Sequence, residues 1–280
     1  MIANDNIPTT LPTSGLFPGH VLVPLAPALP PGKNNVPAAR AGRSPRGVRW
    51  PPVYKPALST ASRFHENLAA GRALVSAEGN LSWGYRIAKR VLDLVGASVL
   101  LVLLSPVMLA TFLVLLVTTR GRPLFRQVRL GWQGRPFAMY KFRTMVLDAE
   151  KRRAEVANEK SGPIFKNRRD PRITRIGRIL RKTSIDETPQ LFSVLAGHMS
   201  LVGPRPPLAS EVARYEPWQR RRLAVRPGLT CLWQISGRSE IGFEDWVRMD
   251  IRYLRNQSLR TDLELLIKTP WAVLTGRGAY

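Results

Sequence analysis

The chain has 280 residues, a formal net charge of +24, one cysteine and three histidines. A single cysteine rules out an internal disulfide and a cysteine-rich zinc site, and His20, His65 and His198 are too scattered to indicate a histidine metal cluster. So large a positive charge is typical of proteins that bind polyanions, namely nucleic acid, anionic lipid or phosphorylated substrates.

Residues 1–80 are predicted to be a disordered, proline-rich leader. Residues 1–60 hold 12 of the 24 prolines and show no sustained apolar period, so they cannot bury enough surface to offset the entropy of ordering. A signal peptide is not predicted, because Asp5 lies where a basic segment is expected and Pro24 and Pro27 interrupt the apolar stretch.

Residues 81–122 are predicted to be a membrane-associated helix. Leu94 to Val117 is a run of 24 uncharged residues, about 36 Å long as one helix and enough to cross a bilayer core of about 30 Å. Ser105 and Pro106 lie at its middle, where a proline removes a backbone hydrogen bond and bends the helix. Both flanks are basic, so two alternatives remain open: a re-entrant helix that leaves on the cytoplasmic face, and a kinked spanning helix.

Residues 123–280 are predicted to form the remaining domain, which the family resemblance given below implies to be cytoplasmic and catalytic. Alternating apolar residues predict a β-hairpin from Pro123 to Met145, with its turn at 131–135. Segment 170–182 predicts an amphipathic helix with arginines on one face, which suits either an anionic membrane surface or packing on a core. Stretch 263–274 is too short and too charged to span a membrane and predicts an interface helix or a core helix.

The expected fold class is therefore α+β and mostly helical. It combines one bent membrane helix, interfacial amphipathic helices and a small β-hairpin. That the bent helix is re-entrant is what the family resemblance given below implies.

Asp186 and Glu187 are adjacent carboxylates in a strongly basic chain, and two interpretations of them remain open. Ser184 and Glu187 match a capping box, so the acids could simply begin a helix. Alternatively the helix begins at Thr188, just before Pro189, and leaves both acids free in the preceding turn. A free pair could divide the work of phosphoryl transfer, with one acid as nucleophile and the other holding Mg²⁺.

Basic residues in three later segments could meet phosphate groups. Lys141 and Arg143 are two residues apart on the second predicted strand and should share a face, although a solvated face explains them equally well. Arg205 lies in a stiff Gly-Pro-Arg-Pro turn. Arg226, Gln234 and Arg238 lie in turn-rich segments for which loop structure is the default interpretation.

From about Gly84 to Tyr280 the chain resembles the bacterial sugar transferases, the monotopic polyprenyl-phosphate hexose-1-phosphate transferases. Each matching motif is weak alone, but together and in this order they are highly specific. The motifs are Lys89-Arg-Val-Leu-Asp93, Ser105-Pro106, Tyr140-Lys-Phe-Arg-Thr-Met145, Asp170-Pro-Arg-Ile-Thr174, Thr183-Ser-Ile-Asp-Glu187, Met199-Ser-Leu-Val-Gly-Pro-Arg-Pro206, Arg226-Pro-Gly228 and Trp233-Gln-Ile-Ser-Gly-Arg238.

The resemblance implies that Asp186 is the nucleophile and that Glu187 helps to hold Mg²⁺. It implies contacts to phosphates or nucleotide for the basic and polar residues of the motifs, and places an Asp-x-x-Tyr pattern near the active site. The residues concerned are Lys141, Arg143, Arg205, Arg226, Gln234, Arg238, Asp250 and Tyr253.

The function implied is transfer of hexose-1-phosphate, galactose or glucose being favoured, from a UDP-sugar to undecaprenyl phosphate. An aspartyl-phosphosugar intermediate, release of UMP and the start of exopolysaccharide assembly are expected. The chain resembles the short form of the family, at the bacterial inner membrane with anionic lipids as partners; the sequence leaves the oligomeric state open. The alternative is a non-catalytic basic membrane scaffold. A nucleic-acid partner is not expected, because the chain has no recognisable RNA- or DNA-binding motif.

Overall fold

The structure is a computed structural model that describes residues 82–160, 162–276 and 278. The predicted leader, residues 1–80, lies outside the described residues. The side chain of Ser239 is also left undescribed.

Helix α1 is a single 36-residue helix, Trp83–Thr118, that continues through Pro106. The Ser105 hydroxyl donates to the carbonyl of Val102, within the turn before the proline. Within the described part of the chain, α1 is the one helix long and apolar enough to cross a membrane, judged by length and composition. Most of its large apolar side chains are exposed, as expected of a helix whose surroundings are lipid.

The predicted β-hairpin is confirmed. Strands β1, Leu124–Leu130, and β2, Pro136–Phe142, pair antiparallel and are joined through a short 3-10 turn at Trp132–Gly134. Phe137 and Met139 are buried on one face, because alternate side chains of a strand point to the same side. Phe142, on the opposite face, is buried in a different cluster with Leu115 and Leu180.

Short helices follow the hairpin. A 3-10 turn, Lys151–Glu155, leads to helix α2, Arg175–Lys182, whose first turn is capped by the Thr174 side chain. The face predicted to be apolar is divided, since Leu180 is buried whereas Ile179 is exposed. A 3-10 helix, Ile185–Gln190, runs directly into helix α3, Leu191–Leu195.

A second, parallel pair of strands organises the rest of the domain. Strands β3, Ser200–Val202, and β4, Gly228–Thr230, are three residues each and fully or partly buried. Gly203 and Gly228 let the two backbones approach closely, because a Cβ at either position would collide with the other segment. The remaining elements are α4 (Ala209–Val212), a 3-10 turn (Gln219–Ala224), α5 (Leu232–Ser236), a 3-10 turn (Arg238–Glu240), α6 (Phe243–Arg255) and α7 (Leu259–Thr275).

Helix α7 contains the predicted stretch 263–274 and is longer than that stretch at its amino end. Its Asp262 and Leu265 are buried, whereas one stripe of large apolar side chains is exposed. The stripe consists of Leu263, Ile267, Trp271 and Leu274.

Polar contacts attach the first half of α1 to the domain. Asp93 accepts hydrogen bonds from the Ser200 hydroxyl and the Leu201 amide, both at 2.9 Å. The Arg90 guanidinium donates to the carbonyls of Val194 and Leu195 at the end of α3. Apolar packing continues the attachment, since Ala97 lies in the same core cluster as Met139 and the residues of α3.

Candidate active site

The two adjacent carboxylates lie inside the 3-10 helix Ile185–Gln190. Ser184 precedes it with a left-handed backbone (φ 57°), and its side chain makes no capping hydrogen bond, so the capping-box interpretation is wrong. The prediction that the helix begins at Thr188 is also wrong, because both acids already lie within the 3-10 helix. Neither acid side chain caps that helix.

Glu187 is held by two cations. Its Oε1 accepts hydrogen bonds from Lys141 Nζ at 2.5 Å and from Arg205 Nη1 at 3.1 Å. Burial opposes the carboxylate charge, but the charges and hydrogen bonds of Lys141 and Arg205 outweigh it and hold the pKa of Glu187 well below its usual range. Lys141 and Arg205 therefore lie beside the acid pair. That they contact substrate phosphates stays a prediction.

Asp186 is buried, with an exposed fraction of 7%. Its pKa is shifted in the opposite direction from that of Glu187. Burial, and then the negative charge of Glu187, raise the pKa of Asp186 to about 6, while Lys141, Arg181 and Arg205 partly offset the rise. At neutral pH it is mostly a carboxylate, poorly hydrated and surrounded by positive charge.

Three further cations contribute to this site that the sequence analysis did not single out. Arg181 donates to the Thr144 hydroxyl at 2.9 Å, and its charge lowers the pKa of Asp186. Burial and the nearby Arg205 lower the pKa of Lys166 to about 7, and its ammonium lies over the Trp233 ring. Burial and Arg205 also lower the pKa of Arg129, to about 10. Arg181 lies in the predicted amphipathic helix 170–182 and Arg129 in the predicted hairpin, and no spacing pattern connects either to Asp186.

Of the other predicted basic residues, Arg238 is within electrostatic reach of the site. Burial lowers its pKa, and the charge of Glu187 acts against that shift. Arg143 and Arg226 have other partners. Arg143 follows the end of β2 and donates to the carbonyls of Arg122 and Leu124, and Arg226 donates to the carbonyl of Gly197 and covers Trp132. That they bind substrate stays a prediction.

Gln234, Asp250 and Tyr253 have partners within the protein. Gln234 Oε1 accepts from the Cys231 thiol. Asp250 forms an ion pair with Arg222 at 2.6 Å, and Tyr253 donates to Asp262 at 2.7 Å. Asp250 and Tyr253 have exposed fractions of 1% and 5%, so any effect on a ligand passes through neighbouring residues.

The acid pair fits a magnesium ion that is shared with a substrate. Among the described residues, no group of three or more Asp, Glu, His or Cys side chains could hold a metal ion. Mg²⁺ is nevertheless commonly held by one or two carboxylates together with substrate phosphates. Asp186 and Glu187 supply that number of carboxylates.

The arrangement is suited to phosphoryl transfer. A buried carboxylate that can act as a nucleophile lies among fixed positive charges, and such charges stabilise a phosphoryl group in transit. The fixed cations are Arg129, Lys141, Arg181, Arg205 and Arg238. Lys166, with its pKa lowered to about 7, is only partly charged at neutral pH.

Comparison with known proteins agrees with this chemistry. Residues 84–276 match the family model described as "Bacterial sugar transferase". The chain is 46% identical over 201 residues to "Galactosyl transferase CpsE" of Streptococcus agalactiae, covering 70% of this chain and 44% of that protein. It is 41% identical over 202 residues to "Undecaprenyl-phosphate galactose phosphotransferase" of Salmonella typhimurium, covering 70% and 42%.

A shorter relative is matched over most of its length. The chain is 40% identical over 200 residues to "Exopolysaccharide production protein ExoY" of Rhizobium meliloti, covering 69% of this chain and 88% of that protein. By contrast, it spans less than half the length of the first two relatives.

Proposed function

Since the chain belongs to the bacterial sugar transferase family, we propose that it transfers hexose-1-phosphate from a UDP-sugar to undecaprenyl phosphate and so initiates glycan assembly, such as that of an exopolysaccharide. The observation that carries the proposal is Asp186, a buried carboxylate of raised pKa among fixed cations. The relatives named for galactose and for glucose transfer favour these two sugars as the hexose.

In the first step, a carboxylate oxygen of Asp186 forms a bond to the β-phosphorus of the UDP-sugar. The bond between that phosphorus and the bridging oxygen breaks, and its electron pair leaves with UMP. The pKa of about 6 leaves Asp186 deprotonated at neutral pH, and burial strips the water that would otherwise weaken it as a nucleophile.

In the second step, a phosphate oxygen of undecaprenyl phosphate attacks the same phosphorus. The bond between Asp186 and phosphorus breaks, which returns the carboxylate and releases the lipid diphosphate sugar. Lys141 and Arg205 are fixed by Glu187 before substrate arrives, so their charges need little reorganisation as negative charge shifts between the oxygens.

We include Mg²⁺ in the proposal, held by Glu187 and, before it reacts, by Asp186. When bound, the ion would neutralise charge on the diphosphate oxygens. Lys141 and Arg205 keep Glu187 ionised, which is the form that a metal requires.

We also place the domain on the cytoplasmic face of the inner membrane, with a re-entrant α1 and interfacial α2 and α7. Exposed apolar side chains on both shorter helices support this, among them Ile179, Trp271 and Leu274. The ends of these helices are adjacent, because a Cβ at Gly276 would lie 3.3 Å from the Lys182 side chain. Basic residues of α2 suit anionic headgroups beside such an apolar surface.

The test is UMP release by purified protein in the presence of undecaprenyl phosphate, Mg²⁺ and a panel of UDP-sugars. We expect release with one or a few sugars, and we expect Asp186→Asn to reduce it by at least about a thousandfold, because the amide is not a nucleophile. Glu244→Gln, an exposed carboxylate of α6, is the matched control and should retain activity.

Two results would contradict the proposal. Near-normal turnover by Asp186→Asn would show that the nucleophile is misassigned. Absence of UMP release with every UDP-sugar would favour the alternative of a non-catalytic membrane scaffold.

A further inference from the structure

The segment that carries Arg205 has an unusual backbone. Three of its four residues are prolines, Pro204, Pro206 and Pro207, which have no amide hydrogen to donate. The loop therefore has little capacity to anchor itself by donating hydrogen bonds, and its position depends on donors that reach its carbonyl groups from outside.

Each of the four carbonyls receives such a donor, and the donors come from three places in the fold: strand β1, strand β4 and the 3-10 turn Gln219–Ala224. The Gly228 amide donates to Pro204 at 2.9 Å, and the Leu130 amide donates to Pro207 at 2.9 Å. The other two carbonyls accept hydrogen bonds from side chains. Arg222 Nη2 donates to the Arg205 carbonyl at 3.1 Å, and Arg129 Nη1 donates to the Pro206 carbonyl at 3.0 Å.

Arg222 is the donor on the carbonyl of Arg205 itself, and it is rigidly held. It has an exposed fraction of 2%, and the same Nη2 that reaches the carbonyl lies 2.6 Å from Asp250 Oδ2. Its Nη1 donates to the Tyr215 hydroxyl at 3.0 Å, and its guanidinium lies over the rings of Tyr215 and Trp246. These partners restrict the orientation of the planar guanidinium, although its buried Nε has no hydrogen-bond partner among the described residues.

The chain of contacts leads to the acid pair. Asp250 on α6 fixes Arg222, Arg222 fixes the backbone of Arg205, and the Arg205 guanidinium holds Glu187 at 3.1 Å. Neither Asp250 nor Arg222 is exposed enough to meet a substrate, so their effect has to pass through Arg205.

We propose that Arg222, oriented by Asp250, is a positioning residue that fixes the Arg205 loop and thereby keeps the Arg205 guanidinium on Glu187. This positioning role deepens the proposed function, because it concerns the same site and rests on Arg205 taking part in phosphoryl transfer there. It also gives Asp250, which the sequence placed near the active site, a role that does not require contact with substrate.

The variant that tests the proposal is Arg222→Met combined with Asp250→Leu. Replacing only one partner would leave a buried charge unpaired and could unfold the domain, whereas apolar replacements of both are often tolerated. The double variant lacks the donor to the Arg205 carbonyl but keeps Arg205, Glu187 and Lys141. The matched control is Arg248→Gln with Glu244→Gln, an exposed pair on the same helix.

The first readout is structural and needs no substrate. In an experimental structure of the double variant, we expect the Arg205 guanidinium to leave hydrogen-bonding distance of Glu187, while the control keeps the contact. An unchanged contact in the double variant would overturn the proposal even if the protein proved to have a different activity.

The second readout is kinetic. We expect kcat for UMP release to fall about 100-fold in the double variant and by a similar factor in Arg205→Ala, as when one preorganised donor is lost. Combining all three substitutions should lower kcat by less than about a further twofold, because the effects of residues that act as a unit are not additive.

A merely structural role predicts a different result, in which the two losses multiply, and that outcome would refute the proposal. If the unmodified protein releases no UMP from any UDP-sugar, the proposed function fails, and the structural comparison still decides whether Arg222 positions Arg205.

Discussion

At the scale of single residues, Asp186 and Glu187 are neighbours in sequence with opposite titration behaviour. Asp186 is buried and Glu187 partly buried. The Lys141 and Arg205 hydrogen bonds go to Glu187, whose pKa is lowered, whereas burial and the Glu187 charge raise the pKa of Asp186 to about 6. When the pKa values of two carboxylates differ in this way, the two groups can take different chemical roles. The ionised Glu187 binds Lys141 and Arg205, and in the proposed reaction Asp186 supplies the attacking oxygen.

A pH dependence follows from this pair. The reactive form of Asp186 is the carboxylate, so kcat/KM for the UDP-sugar should fall about tenfold per unit below pH 6 and be flat above it. Glu187→Gln removes a charge that raises the pKa of Asp186, so in this variant the fall should begin at lower pH, even though its maximal rate is also lower.

The pH profiles of UMP release by the wild type, Glu187→Gln and the control Glu244→Gln test this expectation. Glu244 is an exposed carboxylate paired with Arg248, and its loss should leave the profile in place. If kcat/KM of Glu187→Gln falls at the same pH as that of the wild type, Glu187 does not set the pKa of Asp186.

At the scale of elements, helix α2 is joined to the hairpin through Gly177. A Cβ at this position would collide with the backbone carbonyl of Thr144, just beyond the end of β2. The close approach also brings Arg181 within 2.9 Å of the Thr144 hydroxyl and so toward Asp186. The packing of α2 at Gly177 therefore affects the charge around Asp186.

Gly177→Ala should accordingly destabilise the domain by about 2 kcal/mol, as overpacking typically does, and should reduce UMP release because Arg181 is displaced. Thermal unfolding in detergent and the activity assay measure the two effects. Gly84→Ala is the matched control, since its Cβ meets Ser82 Oγ at an ordinary 3.6 Å in α1. If Gly177→Ala unfolds at the wild-type temperature, the close packing of α2 has been misjudged.

The elements also show which features were accessible from the sequence. The hairpin was predictable because its alternation extends over two seven-residue strands, whereas β3 and β4 are three residues each and carry too little pattern. Alternation placed Lys141 and Arg143 on one face, but β2 ends at Phe142 and Arg143 turns to the carbonyls of Arg122 and Leu124. The cations Arg129, Lys166 and Arg181 come together only through tertiary packing, which no local spacing records.

At the scale of the whole molecule, the membrane helix contacts the domain near both of its ends. Asp93 binds Ser200 and Leu201 near the start of α1, and Leu115 packs with Phe142 and Leu180 near its finish. Between these attachments one face of the helix still packs on the domain, through Leu101, Leu104 and Phe112 among others. The other face exposes large apolar side chains such as Val102 and Leu103. A helix that crossed a bilayer once would carry its two ends to opposite sides, and a domain on one side could hold only one of them.

We therefore expect both ends of α1 to face the cytoplasm, with the apolar middle inserted in the membrane. Single cysteines at Trp83 and at Arg122, introduced with Cys231→Ser so that each is the only thiol, can be labelled with a membrane-impermeant reagent. Both should react in inverted inner-membrane vesicles and resist labelling in intact spheroplasts, and Glu244→Cys on the exposed face of α6 marks the side of the domain. Labelling of the two cysteines from opposite sides would establish a spanning helix. The contacts of Leu115 with Phe142 and Leu180 would then have to be absent in the membrane.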